Sequence, residues 1–250
     1  MTNEPRSSGP GGAPRSSDGF VKSLVADPRH GRLPILLLGL TIVTGLVDAV
    51  SILRLGRVFV ANMTGNVVFL GFAAAGARGF SFAASLVALA GFLIGAGGGG
   101  RLIRRRRAGA PLLAAAAVIE LVLVAGALGI STGVSFPAPL GAISSMAGLL
   151  ALAMGLQNAV ARNLAVPDLT TTVLTMALTG VAADPRGRSE HQRGRRLASV
   201  VAMFAGAIVG ATLVIHGQVP AALGVAAVVL CVVGIAAIRS SVSPAGSVPG

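Results

Sequence analysis

The sequence predicts an all-α, polytopic membrane helix bundle, and its composition carries that prediction. Of the 250 residues, 54% are hydrophobic and 11% are charged, against about 25% charged in soluble domains. Mean hydropathy is +0.83. So few charges cannot cover a soluble surface, and a single cysteine, Cys231, excludes a disulfide scaffold. Because lipid cannot satisfy backbone polar groups, and the alternating pattern of a barrel is absent, we expect the spans to be helices.

Eight apolar segments lie between two polar tails. Residues 1–32 and 240–250 contain little to bury, so we expect a disordered tail at the N-terminus and a flexible one at the C-terminus. Most segments approach the ~20 residues that a membrane crossing requires. Polar side chains interrupt 59–77 and 168–183, which are therefore expected to be broken or re-entrant. The eight segments are 33–53, 59–77, 81–100, 110–131, 140–163, 168–183, 197–216 and 219–238.

The net charge of +12 records topology rather than nucleic-acid binding. Of 20 basic residues, 15 fall in three clusters, at 1–32, 101–107 and 184–196. The positive-inside rule places all three clusters in the cytoplasm. Three segments separate each cluster from the next, and an odd number of crossings cannot return a chain to the same side. We therefore predict six full spans and two cytoplasmic termini; models with seven or eight spans remain open.

Two stretches about 110 residues apart resemble each other. GLVDAV at 45–50 is matched by GLQNAV at 155–160, and each is followed by a polar patch, at 62–66 and at 173–177. The spacing of Gly91 and Gly95 recurs at Gly206 and Gly210. These matches predict two membrane repeats, 33–131 and 132–239, of opposite orientation. In transporters of this build the substrate site lies near the midplane, where interrupted helices expose backbone groups.

The runs TGLVDAVSIL at 44–53, FVANMTGNVVFLG at 59–71 and MGLQNAVAR at 154–162 resemble the YoaK-like family of bacterial inner-membrane proteins. Its members carry a small-G-x-x-D-A stretch, then F-x-x-x-x-T-G-N, then a degenerate second copy. Here the second triplet departs from T-G-N and reads Thr175-Met176-Ala177. The resemblance implies a multi-pass protein of the bacterial inner membrane. It implies no activity, because the family is uncharacterised.

Two carboxylates fall inside predicted spans. A charged residue there costs roughly 2.5–3.5 kcal/mol on insertion scales, so it normally faces a cavity or a partner. Asp48 and Glu120 are accordingly candidates for a proton relay, with Asp48 ranked first. The structural alternative for Asp48 is pairing with Asn62 or Asn66, or with an arginine near the outer interface such as Arg54 or Arg57. For Glu120 the alternative is a structural lock.

The remaining candidates for substrate binding are polar residues of the interrupted segments and their repeat counterparts. Their other interpretation is that they only satisfy the backbone at a helix break. No metal-ligand spacing, cofactor motif or catalytic motif is recognisable, so we predict no cofactor and assign no catalytic residue. With Asp48, the candidate substrate site comprises Asn62, Thr64, Gly65, Asn66, Asn158 and Thr175.

Three functional hypotheses follow. The first is a secondary transporter or permease, working by alternating access around a midplane polar site. The second is an intramembrane enzyme that uses Asp48 and Glu120 as a carboxylate pair. The third is a non-transporting scaffold with dry, packed polar patches. The expected partners are the lipid bilayer and an unidentified small molecule or ion, and not nucleic acid; the sequence does not indicate an oligomeric state.

Overall fold

A computed structural model describes residues 31–164, 179 and 190–242 of the chain. The regular elements of these residues are α-helices, and six of them are long and apolar enough to cross a membrane. The predicted polytopic helical bundle is confirmed, with six candidate spans among the described residues. Most of segment 168–183, with Thr175, lies outside the described residues, as do most of both tails. The helices are α1 (Leu33–Arg54), α2 (Met63–Ala74), α3 (Phe82–Arg105), α4 (Ala110–Thr132), α5 (Leu140–Leu164), α6 (Glu190–Ile215) and α7 (Val219–Val242); α2 is the short one.

Local sequence signals set several helix starts. Helices α1 and α4 each have a proline in the first turn, where its missing N–H leaves no hydrogen bond unmade. At the start of α3 the hydroxyl of Ser81 accepts the N–H of Ala84 at 3.2 Å, which is N-capping. Gly109, with φ of 98°, comes directly before α4 in a conformation that favours glycine.

The bundle exposes large apolar side chains on its outside and buries several polar side chains within an apolar core. Leu93, Val122 and Phe204 are each more than 60% exposed, as expected for side chains that face lipid. By contrast, Glu120 and Gln157 are completely buried. Surface hydrophobics therefore contact lipid, and the interior is where polar chemistry is to be sought.

The helices run in alternate directions between two ends of the bundle. Short connections join α3 to α4 (106–109), α4 to α5 (133–139) and α6 to α7 (216–218). Arginines 101 and 104–107 gather where α3 ends and α4 begins; we call this the arginine-rich end. Helix α1 begins at the arginine-rich end and α7 returns to it, so both terminal spans have their outer ends there.

The segment between α1 and α3 does not cross the bundle. The N–H of Ser81 donates to the carbonyl of Gly56 at 3.3 Å, so residues 57–80 leave and return at one point. This point lies at the end of the bundle opposite the arginine-rich end. The prediction that 59–77 is not a full span is confirmed, and the eight-span alternative, in which that segment crosses, is wrong.

Two parallel helix pairs dominate the packing. Helix α1 packs along α6, and α3 packs along α5. Around them, α7 packs on α1, α4 packs on α5, and α4 and α7 pack on each other. The packing is symmetric under an exchange of α1 with α5, α3 with α6 and α4 with α7. Each packing contact named above then becomes another contact of the same set. Each exchanged pair also runs in opposite directions.

The α1–α6 seam, defined by Gly45, Gly206 and Gly210, brings two backbones into direct contact. A Cβ on Gly45 would collide with the carbonyl oxygen of Met203. A Cβ on Gly206 would collide with the backbone of Ile42, and one on Gly210 would lie 2.9 Å from the carbonyl oxygen of Leu46. Only glycine permits this approach, which is the usual reason for small-x-x-x-small spacing in membranes.

The α3–α5 seam, defined by Gly95, Gly99 and Gly155, repeats these contacts. A Cβ on Gly155 would collide with the carbonyl oxygen of Phe92, and one on Gly95 with that of Leu152. Leu152 follows Ile42 by 110 residues. By these contacts Gly95 corresponds to Gly206 and Gly99 corresponds to Gly210. The sequence comparison paired Gly91 and Gly95 with the same two glycines, which is one helical turn too early on α3.

Candidate functional site

Asp48 lies inside α1 and is 6% exposed. Its Oδ1 accepts the backbone N–H groups of Val60 and Ala61, each at 3.2 Å. Its Oδ2 is buried and has no hydrogen-bond partner among the described residues. The expected structural partners differ from those observed, because Asp48 binds backbone N–H groups rather than the side chain of Asn62 or Asn66. One carboxylate oxygen is therefore held in place, and the described residues offer no partner to the other.

These two hydrogen bonds show that the chain re-enters the bundle. Asp48 stands six residues before Arg54, the last residue of α1, which is ~9 Å along the helix axis. Val60 and Ala61 must lie at that depth to reach Oδ1. Residues 55–62 thus descend from the end of α1 into the bundle, and we call them the re-entrant segment. Helix α2 then begins at Met63, at the foot of this descent.

Asn66 fixes the re-entrant segment by binding both backbone groups of Phe59. Its Oδ1 accepts the N–H of Phe59 at 2.7 Å, and its Nδ2 donates to the carbonyl oxygen of the same residue. Asn66 is 1% exposed. These bonds supply the backbone partners that lipid cannot. The role seen for Asn66 is therefore positional, and it holds the chain that carries the donors to Asp48.

Gly65 makes room for the ring of Phe59. A Cβ on Gly65 would lie 2.6 Å from Cδ2 of that ring. The ring also stacks on Phe69, with centroids 5.5 Å apart. The spacing F-x-x-x-x-T-G-N thus has a structural explanation, because its first residue is clamped by the asparagine and accommodated by the glycine. Asn62 and Thr64 are exposed, and neither is seen to bond Asp48.

A stripe of buried polar side chains runs along α1, and sequence reasoning missed most of it. It comprises Thr41, Thr44, Asp48 and Ser51, each 6% exposed or less. The spacing of three and four residues puts them on one face of the helix. That spacing was the available signal, but β-branched and small hydroxyl residues are ordinary inside membrane helices.

Gln157 of α5 meets this stripe. Its Nε2 donates to Oγ1 of Thr44 at 2.9 Å, and the hydroxyl of Thr44 donates to the carbonyl of Leu40 at 3.0 Å. Oε1 of Gln157 is buried with no partner among the described residues. This contact joins α1 directly to α5, one turn from Asp48 on the side toward the arginine-rich end.

The other sequence candidates lie apart from Asp48. Asn158 is on α5, where its Nδ2 donates to the carbonyl of Met154 at 2.9 Å. Glu120 is completely buried on α4, and neither of its oxygens has a partner in the part of the chain that is described. Helix α4 packs on α5 and α7, and no hydrogen bond joins Glu120 to Asp48. Thr175 lies outside the described residues.

Six candidate spans, a re-entrant segment and a buried carboxylate define a polytopic helical membrane protein with polar side chains buried in an apolar core. A family model described as a protein of unknown function (DUF1275) matches residues 36–236. The chain belongs to that family. This agrees with the resemblance seen in the sequence.

A curated relative, the UPF0700 transmembrane protein YoaK of Bacillus subtilis (strain 168), is 31% identical over 149 residues. The match covers 60% of this chain and 65% of the relative, which is less than two thirds of the relative's length. No solved structure matches the chain. The comparisons therefore establish an integral membrane protein of a transmembrane family, and function has to be argued from the site.

Proposed function

We propose that this protein is a secondary transporter or permease of a small solute, with a site centred on Asp48. The observation that carries the proposal is that Oδ2 of this buried carboxylate, beside a re-entrant segment, has no hydrogen-bond partner in the described part of the chain. Carboxylates inside membranes mark ion and substrate pathways because their burial is otherwise costly. A proton or a small cation on Oδ2 would supply the missing partner.

The proposal includes two inverted repeats, at 33–131 and 132–239. The exchange that preserves the packing partners of the helices supports this division, since each exchanged pair is antiparallel. The matched glycine seams support it as well. In inverted-repeat transporters the substrate site lies between the repeats, next to a discontinuous helix. Asp48 and the re-entrant segment fit that description in the first repeat.

The two seams suggest which parts move. Each seam locks two parallel helices backbone to backbone, so α1 with α6, and α3 with α5, act as rigid bodies. The hydrogen bond between Thr44 and Gln157 is a contact between these bodies. Asp48 is closed off in the described conformation, being 6% exposed. Rocking of one body against the other about this contact would open Asp48 to one side and then to the other.

The decisive experiment is flux into proteoliposomes of purified full-length protein. Uptake is measured for radiolabelled phosphate, succinate, glutamate, lysine and glucose, with and without an imposed proton gradient. We expect uptake of at least one solute by the wild type, and loss of gradient-driven uptake in Asp48→Asn to the level of empty liposomes. Thr41→Val is the matched control, because among the described residues the Thr41 hydroxyl bonds the carbonyl of Leu37 in its own helix.

Undiminished uptake by Asp48→Asn would exclude Asp48 as the coupling residue. Absence of uptake for every solute by a folded wild type would favour the scaffold hypothesis, which the burial of Asp48 and Asn66 also accommodates. The enzyme hypothesis is disfavoured by the described contacts, because they do not bring Asp48 and Glu120 together.

We further propose a bacterial inner-membrane location with the arginine-rich end in the cytoplasm, as the positive-inside rule requires. Cysteine accessibility tests this in intact cells of a Cys231→Ala variant. Ala77→Cys, beyond α2, should react with a membrane-impermeant maleimide, and Ala108→Cys, between α3 and α4, only after permeabilisation. Both positions are exposed. The reverse labelling pattern would invert the orientation.

A further inference from the structure

The end of the bundle opposite the arginine-rich end holds three arginines, Arg54, Arg57 and Arg78. The positive-inside rule disfavours arginine on the side opposite the main basic clusters. The chain has no Asp or Glu between 49 and 119, between 121 and 167, or between 191 and 242. The described segments therefore place no Asp or Glu at this end itself. The acidic side chain nearest to these arginines along the chain is Asp48, ~9 Å down α1 from Arg54, and its Oδ1 accepts two backbone N–H groups of the re-entrant segment.

Two cavities meet at Arg54. One, of about 290 Å³, lies between the ends of α4 and α7 and is lined by Arg54 with Ser131, Thr132 and Ser135. The other, of about 400 Å³, lies beside the re-entrant segment and is lined by Arg54 with Arg57, Phe69 and Phe80. Cavities of about 300–1,000 Å³ are typical of small-molecule sites. Arg78 lines neither cavity.

Both guanidinium groups are held in place. An Nη of Arg54 donates to the carbonyl of Val214 at 3.1 Å, and the same side chain lines both cavities. The guanidinium carbon of Arg57 lies 5.7 Å from the ring centroid of Phe80, a cation–π distance. Arg57 has a φ of 56°, a left-handed conformation that non-glycine residues adopt at some cost and that concentrates at functional sites.

We propose that Arg54 and Arg57 form a binding site for a small oxyanion, a phosphate or a carboxylate, at this end of the bundle. The planar fork of a guanidinium matches the two oxygens of such groups. No acidic side chain lines either cavity, so the positive charge of the two guanidinium groups attracts anions there. This is a claim about binding, so it holds whether or not the protein transports a solute.

The test is equilibrium binding of radiolabelled phosphate and succinate to the full-length protein in nanodiscs of phosphatidylcholine. We expect saturable binding of at least one anion by the wild type. Arg54→Gln should weaken it about tenfold or more, because a charge-assisted hydrogen bond is lost. Arg54→Lys should weaken it less, and Arg57→Gln a few-fold. Arg78→Gln is the matched control and should bind like the wild type.

Size-exclusion profiles after heating establish that each variant is folded. If Arg54→Gln does not fold, Arg54→Lys and Arg57→Gln carry the comparison. Equal weakening by Arg78→Gln, or unchanged binding in folded Arg54 and Arg57 variants, would overturn the proposal, because surface charge alone would then explain the binding.

A second arm separates a free anion from a lipid headgroup, since both present a phosphate. Phosphatidylglycerol is added to the nanodiscs and phosphate binding is measured again, with native mass spectrometry of retained lipid. Competition, together with lipid retained by wild type and lost in Arg54→Gln, assigns the site to the headgroup phosphate. Unchanged phosphate binding assigns it to a free anion. If the wild type binds neither anion and retains lipid no better than Arg54→Gln, the site does not exist.

Discussion

Helices α1 and α5 belong to two matching glycine seams and carry different polar side chains. Both approach their partner helices closely enough that a Cβ on Gly45 or Gly155 would strike a carbonyl oxygen. Yet α1 carries Asp48, a carboxylate that binds the re-entrant segment, whereas at the matching position α5 carries Asn158, a neutral amide whose contacts include the carbonyl of Met154. The comparison teaches that the backbone contacts depend on small residues alone. The two helices make matching backbone contacts, but only α1 of the two carries a carboxylate at this position.

The largest expected effect tests whether the two seams are equivalent. Gly45→Ala and Gly155→Ala each force a methyl group against partner backbone, which cannot move as a side chain can. We expect each substitution to lower the free energy of unfolding by about 3 kcal/mol or more, at the upper end for overpacking. Unfolding in mixed micelles measures this effect.

Gly98→Ala and Gly129→Ala are the controls, since a Cβ at either position meets nothing within 4 Å. Alanine is the better helix former, so these variants should be unchanged or slightly more stable. A large loss at Gly45 with none at Gly155 would show that the seams are not equivalent.

The next effect probes the asymmetry of charge. Asn158→Asp places a second carboxylate in a span, and we expect it to cost about 2.5–3 kcal/mol by analogy with insertion scales. Asp48→Asn should keep or raise stability, because its side-chain oxygen can still accept the N–H groups of Val60 and Ala61. Its flux should be lost nonetheless.

Unfolding and flux are measured on the same preparations of these two variants. A marked loss of stability in Asp48→Asn would mean that the ionised carboxylate is structural. The charge difference between α1 and α5 would then serve stability and not transport.

Much of this architecture was predictable from the sequence, for physical reasons. Span length follows from hydropathy, and the parity of crossings follows from where the arginines gather, so the non-crossing character of 59–77 could be inferred. The clamp of Asn66 on Phe59 could not, because it depends on the path of an irregular segment. The contact of Thr44 with Gln157 joins residues 113 positions apart, and no local pattern encodes it.

The register of the glycine seams could not be predicted from the sequence either. Gly91, Gly95 and Gly99 repeat every four residues, so a match to Gly206 and Gly210 is satisfied by either adjacent pair. Only the contacts select Gly95 and Gly99. A periodic motif indicates that a close approach exists, and the backbone geometry decides where along the helix it falls.

A smaller effect concerns the clamp of Asn66. Asn66→Ala removes both side-chain partners of the buried Phe59 backbone, and we expect it to destabilise the protein by about 2 kcal/mol. Asn66→Asp keeps the acceptor for the N–H of Phe59 and loses the donor to its carbonyl. The stability that Asn66→Asp loses should therefore differ from the stability that Asn66→Ala loses. The re-entrant segment should become more accessible in both variants.

Thiol labelling of Ala61→Cys, in a Cys231→Ala background, reports that accessibility. Ala61 is 4% exposed, so little reaction is expected while the clamp is intact. Rapid labelling with Asn66 intact would contradict the buried position of the segment.

The smallest effect measures the contact between the two seam pairs. Thr44→Val and Gln157→Leu each remove one side of the hydrogen bond between α1 and α5, and a double-mutant cycle isolates its energy. Interhelical hydrogen bonds in membranes average about 0.6 kcal/mol, so we expect a coupling near that value. A weak contact here suits a pivot, because strong coupling would resist rocking of one seam pair against the other. A coupling above ~2 kcal/mol would instead indicate that α1 and α5 form one rigid body.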